Sequence, residues 1–225
     1  MTSLIDTFIA PVCNEDIDIL FQDDSILLIN KPSGLLSLSG KNPLNIDSVH
    51  HRLVQDFPTA TLLHRLDFGT SGIMLVALSK EVNGALTKQF QARKVTKTYT
   101  ALLHGHLQED IGTIDFPIAK DKPNFPLMKI CYDTGKSAIS EFSVLERLLN
   151  PEVSRVCFTP ITGRTHQLRL HSQKIGHPIV GCDLYGFPDH DAKPSANRLM
   201  LHASTLEFVH PVSGQSMQLE CASAF

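Results

Sequence analysis

Residues 72–78, GIMLVAL, are apolar without interruption and rich in branched side chains. A half-buried strand alternates and a surface helix repeats every three to four residues, so an unbroken short run suits a β-strand buried on both faces. Directly upstream the chain reads LLHRLDFGTS at 62–71, which sets Arg65 two residues before Asp67 at the entrance to that strand. Charges beside a core are costly unless paired, so this placement marks either a structural ion pair or an active site.

The pattern around this strand defines the fold class. ILLIN at 26–30 is an apolar run stopped by KPSG, where Pro32 and Gly34 impose a turn, and it reads as a strand feeding a loop. In SKEVNGALTKQFQARK, residues 79–94, Val82, Leu86 and Phe90 recur every four residues behind Ser79 as N-cap. That spacing predicts a helix despite Gly84. KTYTALLHG at 97–105 alternates, with Tyr99, Ala101 and Leu103 on one face of a strand. Further strands are expected at 137–145, at 153–158, and in the pair STLEFVH and SMQLE turned by PVSG. Leu168, His171 and Ile175 fall at helical spacing before Gly176, with Thr162 or Thr165 available as cap. The chain is therefore expected to be α+β, with a large, mainly antiparallel sheet and few flanking helices. With no repeat, low-complexity tract or Gly/Ser linker, residues 21–225 are expected to form one domain behind an acidic N-terminal extension at 1–20.

No apolar stretch reaches the roughly 20 residues that span a bilayer, and the N-terminus lacks the basic and apolar regions of a signal peptide, which points to the cytoplasm. The five cysteines are scattered and never form C-x-x-C, against a disulfide framework or a thiolate zinc site. A net charge of −3 argues at first sight against nucleic acid. Its distribution reverses that inference. Asp6, Glu15, Asp16, Asp18, Asp23 and Asp24 crowd the first 24 residues with no Lys or Arg, leaving 20 basic against 17 acidic residues elsewhere. KQFQARKVTK at 88–97 carries Lys88, Arg93, Lys94 and Lys97 without an acid. A second basic cluster, Arg164, Arg169 and Lys174, lies in a stretch free of acids between Glu152 and Asp183, and is a candidate partner for Asp67.

Asp67 has four chemical options: general base, metal ligand, nucleophile, or structural partner of Arg65. None of the 11 histidines forms H-E-x-x-H or a comparable signature, so no metal site is expected. No glycine-rich phosphate loop is present either. An acid/base or nucleophilic carboxylate and a structural ion pair remain. A neighbouring guanidinium lowers an Asp pKa by about 1–3 units and would keep a nucleophile ionised.

Four blocks in order bear on this choice: NKPSGLLS at 30–37, HRLDFGTSGIMLVA at 64–77, KTYTALLHG at 97–105, and PITGRTHQLRLH with GHPIVGCDLYG at 160–186. Together they resemble the motifs of the RluA-type pseudouridine synthases, across nearly the whole chain. The resemblance implies the pseudouridine synthase fold, with a large mixed sheet, and conversion of uridine to pseudouridine in RNA. It makes Asp67 the catalytic aspartate, as nucleophile or base, and Arg65 the arginine that replaces the flipped-out base. Tyr99 is similar to the tyrosine that packs on the target uracil and acts in proton transfer. Arg169 is similar to the arginine that pairs with the aspartate, and Leu168 to a wall of the pocket. Arg164, Lys88, Arg93 and Lys94 are read as RNA contacts. An isomerisation needs no cofactor. The length resembles the small branch of the family that lacks a separate N-terminal RNA-binding domain and acts on stem-loops of 23S rRNA and of the tRNA anticodon arm; nothing demands a dimer. Two alternatives are an RNA-binding protein of this fold without turnover, and a hydrolase. A retaining glycosidase would need a second carboxylate about 5–5.5 Å from Asp67, and the nearest acids in sequence are Glu81 and Asp56.

Overall fold

The computed structural model describes residues 8–187 and 196–225; residues 1–7 of the expected acidic extension, Asp6 among them, lie outside the described residues. In chain order the elements are β1 (Asp18–Gln22), β2 (Ile26–Lys31), α1 (Val49–Asp56), β3 (Thr61–Leu62), β4 (Ser71–Ala77), α2 (Lys80–Gln91), β5 (Thr96–His104) and β6 (Ile111–Asp115). They continue with β7 (Ile118–Lys120), β8 (Met128–Ile130), β9 (Ile139–Leu149), β10 (Glu152–Pro160), α3 (Gln167–Lys174), β11 (Leu201–Val209) and β12 (Ser216–Glu220). The expected α+β class holds, with many strands and three α-helices among the described residues. Among the described residues, no helix is long and apolar enough to cross a membrane.

The chain forms two compact units, one of residues up to 96 with 205–222, the other of residues 97–204 with 223–225. In the first, β2 lies antiparallel between β1 and β4, with Leu28 opposite Leu75 and Ile29 opposite Met74. Every residue of β4 is buried, as its unbroken apolar run requires. Ile26, Leu28, Ile73, Leu75 and Ala77 pack with Val82 and Leu86 of α2 and with Leu206 and Phe208 of β11. Their neighbours of opposite parity, Leu27, Ile29, Met74 and Val76, are equally inaccessible, so both faces of these strands are covered. Helix α2 starts where the sequence places it: the Ser79 hydroxyl accepts from the Val82 N–H at 3.2 Å. Its end is fixed from outside, because the Gln89 amide exchanges two hydrogen bonds with the backbone of Val209 at 2.7 and 3.0 Å.

The second unit is built on the antiparallel order β5, β10, β9, β6, with Tyr99 opposite Phe158 and Phe158 in turn opposite Phe142. β7 and β8 form a separate two-stranded ribbon. Ala101, Leu103, Val156 and Phe158 give the sheet's contribution to a core that α3 completes with Leu168 and Leu170.

One helix has no counterpart in the sequence reading, and one expectation needs correction. Helix α1 is capped by Ser48, whose hydroxyl accepts from His51 N–H. Its sequence, VHHRLVQD, is mostly polar and buries only Val49 and Leu53, so periodicity carries little signal. At α3 neither Thr162 nor Thr165 caps. His166 occupies that position in the left-handed region at φ 55°, with no side-chain cap, while Thr162 accepts from Ile139 N–H and binds the Gln167 side chain.

His171 of α3 is fully buried. Its Nε2 lies 3.1 Å from the Phe116 carbonyl, which only accepts, so Nε2 carries the proton and Nδ1 accepts from the Ser140 hydroxyl at 3.0 Å. Burial pushes its pKa below the ordinary histidine value. The unfolded chain therefore takes up a proton at His171 first, and stability present above about pH 6.5 is lost as pH falls from there toward the folded pKa. Urea unfolding from pH 7.5 to 5.5 is expected to show this decline in the natural chain and a shallower one in His171→Asn; equal slopes would contradict it.

Candidate active site

In the first unit the Asp67 loop is held by the segment that follows β2. Lys31 is 0% exposed, and its ammonium donates to the carbonyls of Pro32 at 2.8 Å, Leu35 at 2.7 Å and Phe68 at 3.2 Å. Burying an ammonium costs several kcal/mol, which hydrogen bonds to a charged donor, worth about 1.5–3 kcal/mol each, can offset. Gly34, at φ 77°, turns its N–H to the same Phe68 carbonyl at 2.9 Å. Ser33 donates to Gly69 O at 2.7 Å. Ser37 grips Leu66 reciprocally, donating to its carbonyl at 2.7 Å and accepting from its N–H at 3.1 Å. Thr70 N–H donates to Asp67 O at 3.1 Å. Four consecutive carbonyls, from Leu66 to Gly69, thus have partners, and KPSGLLS is explained as the clamp on HRLDFG.

The clamp seats Leu66 in the core at 7% exposure and leaves Asp67 half-buried and Arg65 exposed. Among the described residues Arg65 enters no ion pair, so the structural pairing of Arg65 with Asp67 is not formed. Phe8 packs edge-on against Phe68, with ring centroids 5.5 Å apart. Lys88, Arg93 and Lys94 are exposed at the end of α2, where Arg93 adopts φ 55° and terminates the helix. The first unit holds Arg65, Asp67, Lys88, Arg93 and Lys94.

The second unit holds Tyr99, Arg164, Leu168 and Arg169. Tyr99 is half-buried on β5. Arg169 is 4% exposed and ion-paired to Asp183, its Nε donates to Cys182 Sγ at 3.3 Å, and its guanidinium lies 5.5 Å from the Tyr185 ring centroid. Tyr185 accepts from Met128 N–H at 2.8 Å and bonds His166 Nδ1 at 2.8 Å, and so is itself immobilised. Just before this cluster Gly181, at φ 74°, lets the chain pass close to residue 198: a Cβ there would stand 1.9 Å from the Arg198 carbonyl oxygen. Gln167 secures the turn before α3, donating to Ile139 O and Ser140 Oγ, both at 2.9 Å, and accepting from Arg164 N–H at 3.0 Å. Arg164 donates from Nε to Ser137 O at 3.0 Å. Leu168 is buried beside Arg169.

Three residues of this scaffold escape sequence reasoning. Lys31 follows an apolar run and precedes Pro-Ser-Gly, which reads as a surface turn. Asp183, noted only as the limit of an acid-free stretch, is the partner of Arg169. Lys97, counted in the sequence only as one cation of the basic run, is half-buried, burial lowers its pKa, and its ammonium lies 3.7 Å from where a Cβ on Gly163 would be. Replacing Lys31 by Met leaves its acceptors without their charged donor. Lys31→Met is expected to lose about 3 kcal/mol or more in urea unfolding, whereas a loss below about 1 kcal/mol would show that the clamp does not depend on the ammonium.

Comparison with known proteins agrees with these motifs. Residues 25–174 match the RNA pseudouridylate synthase family. The chain is 48% identical over 207 residues to the dual-specificity RNA pseudouridine synthase RluA of Yersinia pestis, covering 92% of this chain and 99% of that one. It is 46% identical over 218 residues to the RluA of Haemophilus ducreyi, covering 96% and 97%. The solved structure of human RNA pseudouridylate synthase domain containing 1 superimposes with a TM-score of 0.78 at 33% identity, covering 96% of this chain and 86% of that one. A family match over most of the length, and relatives of this identity along nearly all of both chains, place the protein: it belongs to the RNA pseudouridylate synthase family.

Proposed function

We propose that this RNA pseudouridine synthase isomerises uridines in stem-loops of 23S rRNA and of the tRNA anticodon arm, with Asp67 as its essential aspartate. The observation that carries the reading is the clamp on Leu66–Gly69, which fixes the backbone at Asp67 while Arg65 stands exposed and outside any ion pair among the described residues. A purely structural Arg65–Asp67 pair has no use for such a clamp. The reaction breaks the N1–C1′ bond, turns the uracil, and joins C5 to C1′. C5 loses a proton and N1 gains one, so nothing is consumed.

A base stacked in a stem-loop must first be extruded, at a cost of a few kcal/mol. Arg65 is the residue we assign to the vacated space, because a guanidinium stacks and donates hydrogen bonds in one plane. Asp67 attacks or deprotonates as the carboxylate, and Arg169 keeps it ionised. The buried, clamped setting of Arg169 supports that role, since its guanidinium is fixed in orientation. Tyr99 contacts the uracil and relays a proton, and Leu168 walls the apolar side. Lys88, Arg93, Lys94 and Arg164 meet phosphates. On this reading the protein is a cytoplasmic monomer that needs no cofactor.

Purified protein incubated with tRNA and 23S rRNA fragments is expected to give pseudouridine in nucleoside digests of both. Asp67→Asn is expected to abolish product while retaining RNA affinity, and appreciable residual turnover would overturn the assignment. Replacing Lys88, Arg93 and Lys94 together by Gln is expected to flatten the log–log salt dependence of affinity by roughly 0.7–0.9 for each phosphate that is no longer neutralised; an unchanged slope removes that face from the interface.

A further inference from the structure

The ribbon of β7 and β8 and the turn after it present a surface that the reaction chemistry does not use. Phe125 and Tyr132 are 71% and 72% exposed, and neither makes a ring contact among the described residues. Isolated exposed apolar side chains are ordinary, so exposure alone carries nothing. Here the two rings share one segment with Lys120, Lys122, Lys129 and Lys136, all exposed. The acids among them are Asp121, which engages Lys129 at 3.8 Å and Asn124 at 2.8 Å, and the exposed Asp133.

The segment is also ordered, not a loose loop. Asp121 N–H donates to Leu127 O at 3.0 Å and Leu127 N–H to Asn124 O at 2.8 Å, closing the turn that carries Phe125. Cys131 N–H donates to Pro117 O at 2.9 Å and Gly135 N–H to Cys131 O at 3.0 Å, closing the turn that carries Tyr132. Ile118 and Lys136 exchange a pair of 2.9 Å hydrogen bonds at the base, and Tyr185, which braces Arg169, receives the N–H of Met128. Arg164 reaches the same base through Ser137 O, one residue from Lys136.

Aromatic rings carried on hydrogen-bonded turns and standing in water among cations match the requirements of unpaired RNA: each base offers a π-face and each nucleotide a phosphate. A protein partner would favour a continuous apolar patch, which the interleaved lysines prevent. We propose that the 118–137 segment is a second RNA-contacting surface, on which Phe125 and Tyr132 stack unpaired bases of the substrate loop while Lys120, Lys122, Lys136 and Arg164 hold the adjoining backbone. This deepens the function proposed above and rests on its taking RNA as the ligand. Stacking needs no particular base, so the surface contributes grip on any loop with unpaired bases, a property suited to an enzyme with more than one RNA substrate.

The test uses the full chain and a stem-loop RNA bearing 2-aminopurine in its unpaired loop. Pseudouridine formation by the natural chain is measured first, so that failure of the enzymatic reading is seen separately. Phe125→Leu with Tyr132→Leu keeps apolar bulk and removes the rings. This double variant is expected to bind roughly tenfold or more weaker and to lose the fluorescence quenching of 2-aminopurine that stacking produces. Phe125→Tyr with Tyr132→Phe is expected to restore both. Unchanged affinity and quenching in the leucine variant would overturn the proposal, as would weakened binding that the aromatic exchange fails to restore.

Discussion

The fully buried ammonium of Lys31, set on the carbonyls of Pro32, Leu35 and Phe68, is the interaction on which the candidate site depends. A lysine is costly to bury, and it remains charged in a core only when fixed acceptors surround it. Those acceptors come from two segments that are distant in sequence, so one side chain ties the turn after β2 to the loop that carries Asp67. Ser33, Gly34 and Ser37 extend the tie along the next residues. The carboxylate consequently stands on backbone that cannot shift without breaking several hydrogen bonds, a form of preorganisation for chemistry that moves a base around a fixed sugar.

The second unit repeats the logic with different groups. Arg169 is held by Asp183, Cys182 and the face of Tyr185, and Tyr185 is held by His166 and Met128. The Gln167 side chain binds four groups of the preceding turn and the neighbouring strand: Thr162, Arg164 N–H, Ile139 O and Ser140. Of the cations read as RNA contacts, Arg65, Lys88, Arg93 and Lys94 are built the opposite way and stand exposed, while Arg164 is half-buried and donates to Ser137 O. The arginine we assign to the reacting centre is thus buried and braced, and most of the cations we assign to the polymer are left in water, where they can exchange counterions for phosphates.

Much of the fold was legible because its strongest elements carry their signals locally. GIMLVAL is apolar throughout and is buried throughout; α2 begins at Ser79 because a serine hydroxyl there reaches the Val82 N–H. The elements that sequence reasoning missed lack such signals. Helix α1 is largely polar, β7 and β8 are too short to show alternation, and α3 starts at a histidine in a left-handed conformation that no propensity favours. Residue types at the site could be named from their motifs, whereas what holds them could not. Lys31 looks like a turn lysine until the Phe68 carbonyl is placed against it, and Asp183 looks like a surface acid until Arg169 meets it from 14 residues away. The missing information is tertiary.

The most direct measurement is tritium release from RNA labelled at C5 of uridine. Joining C5 to the sugar must expel the C5 hydrogen, while binding alone expels nothing and hydrolysis releases the whole base. The account predicts that tritium appears in water in proportion to the pseudouridine formed, with no free uracil, and that Asp67→Asn releases none. Tritium retained in the RNA, or recovered in free uracil, would contradict it.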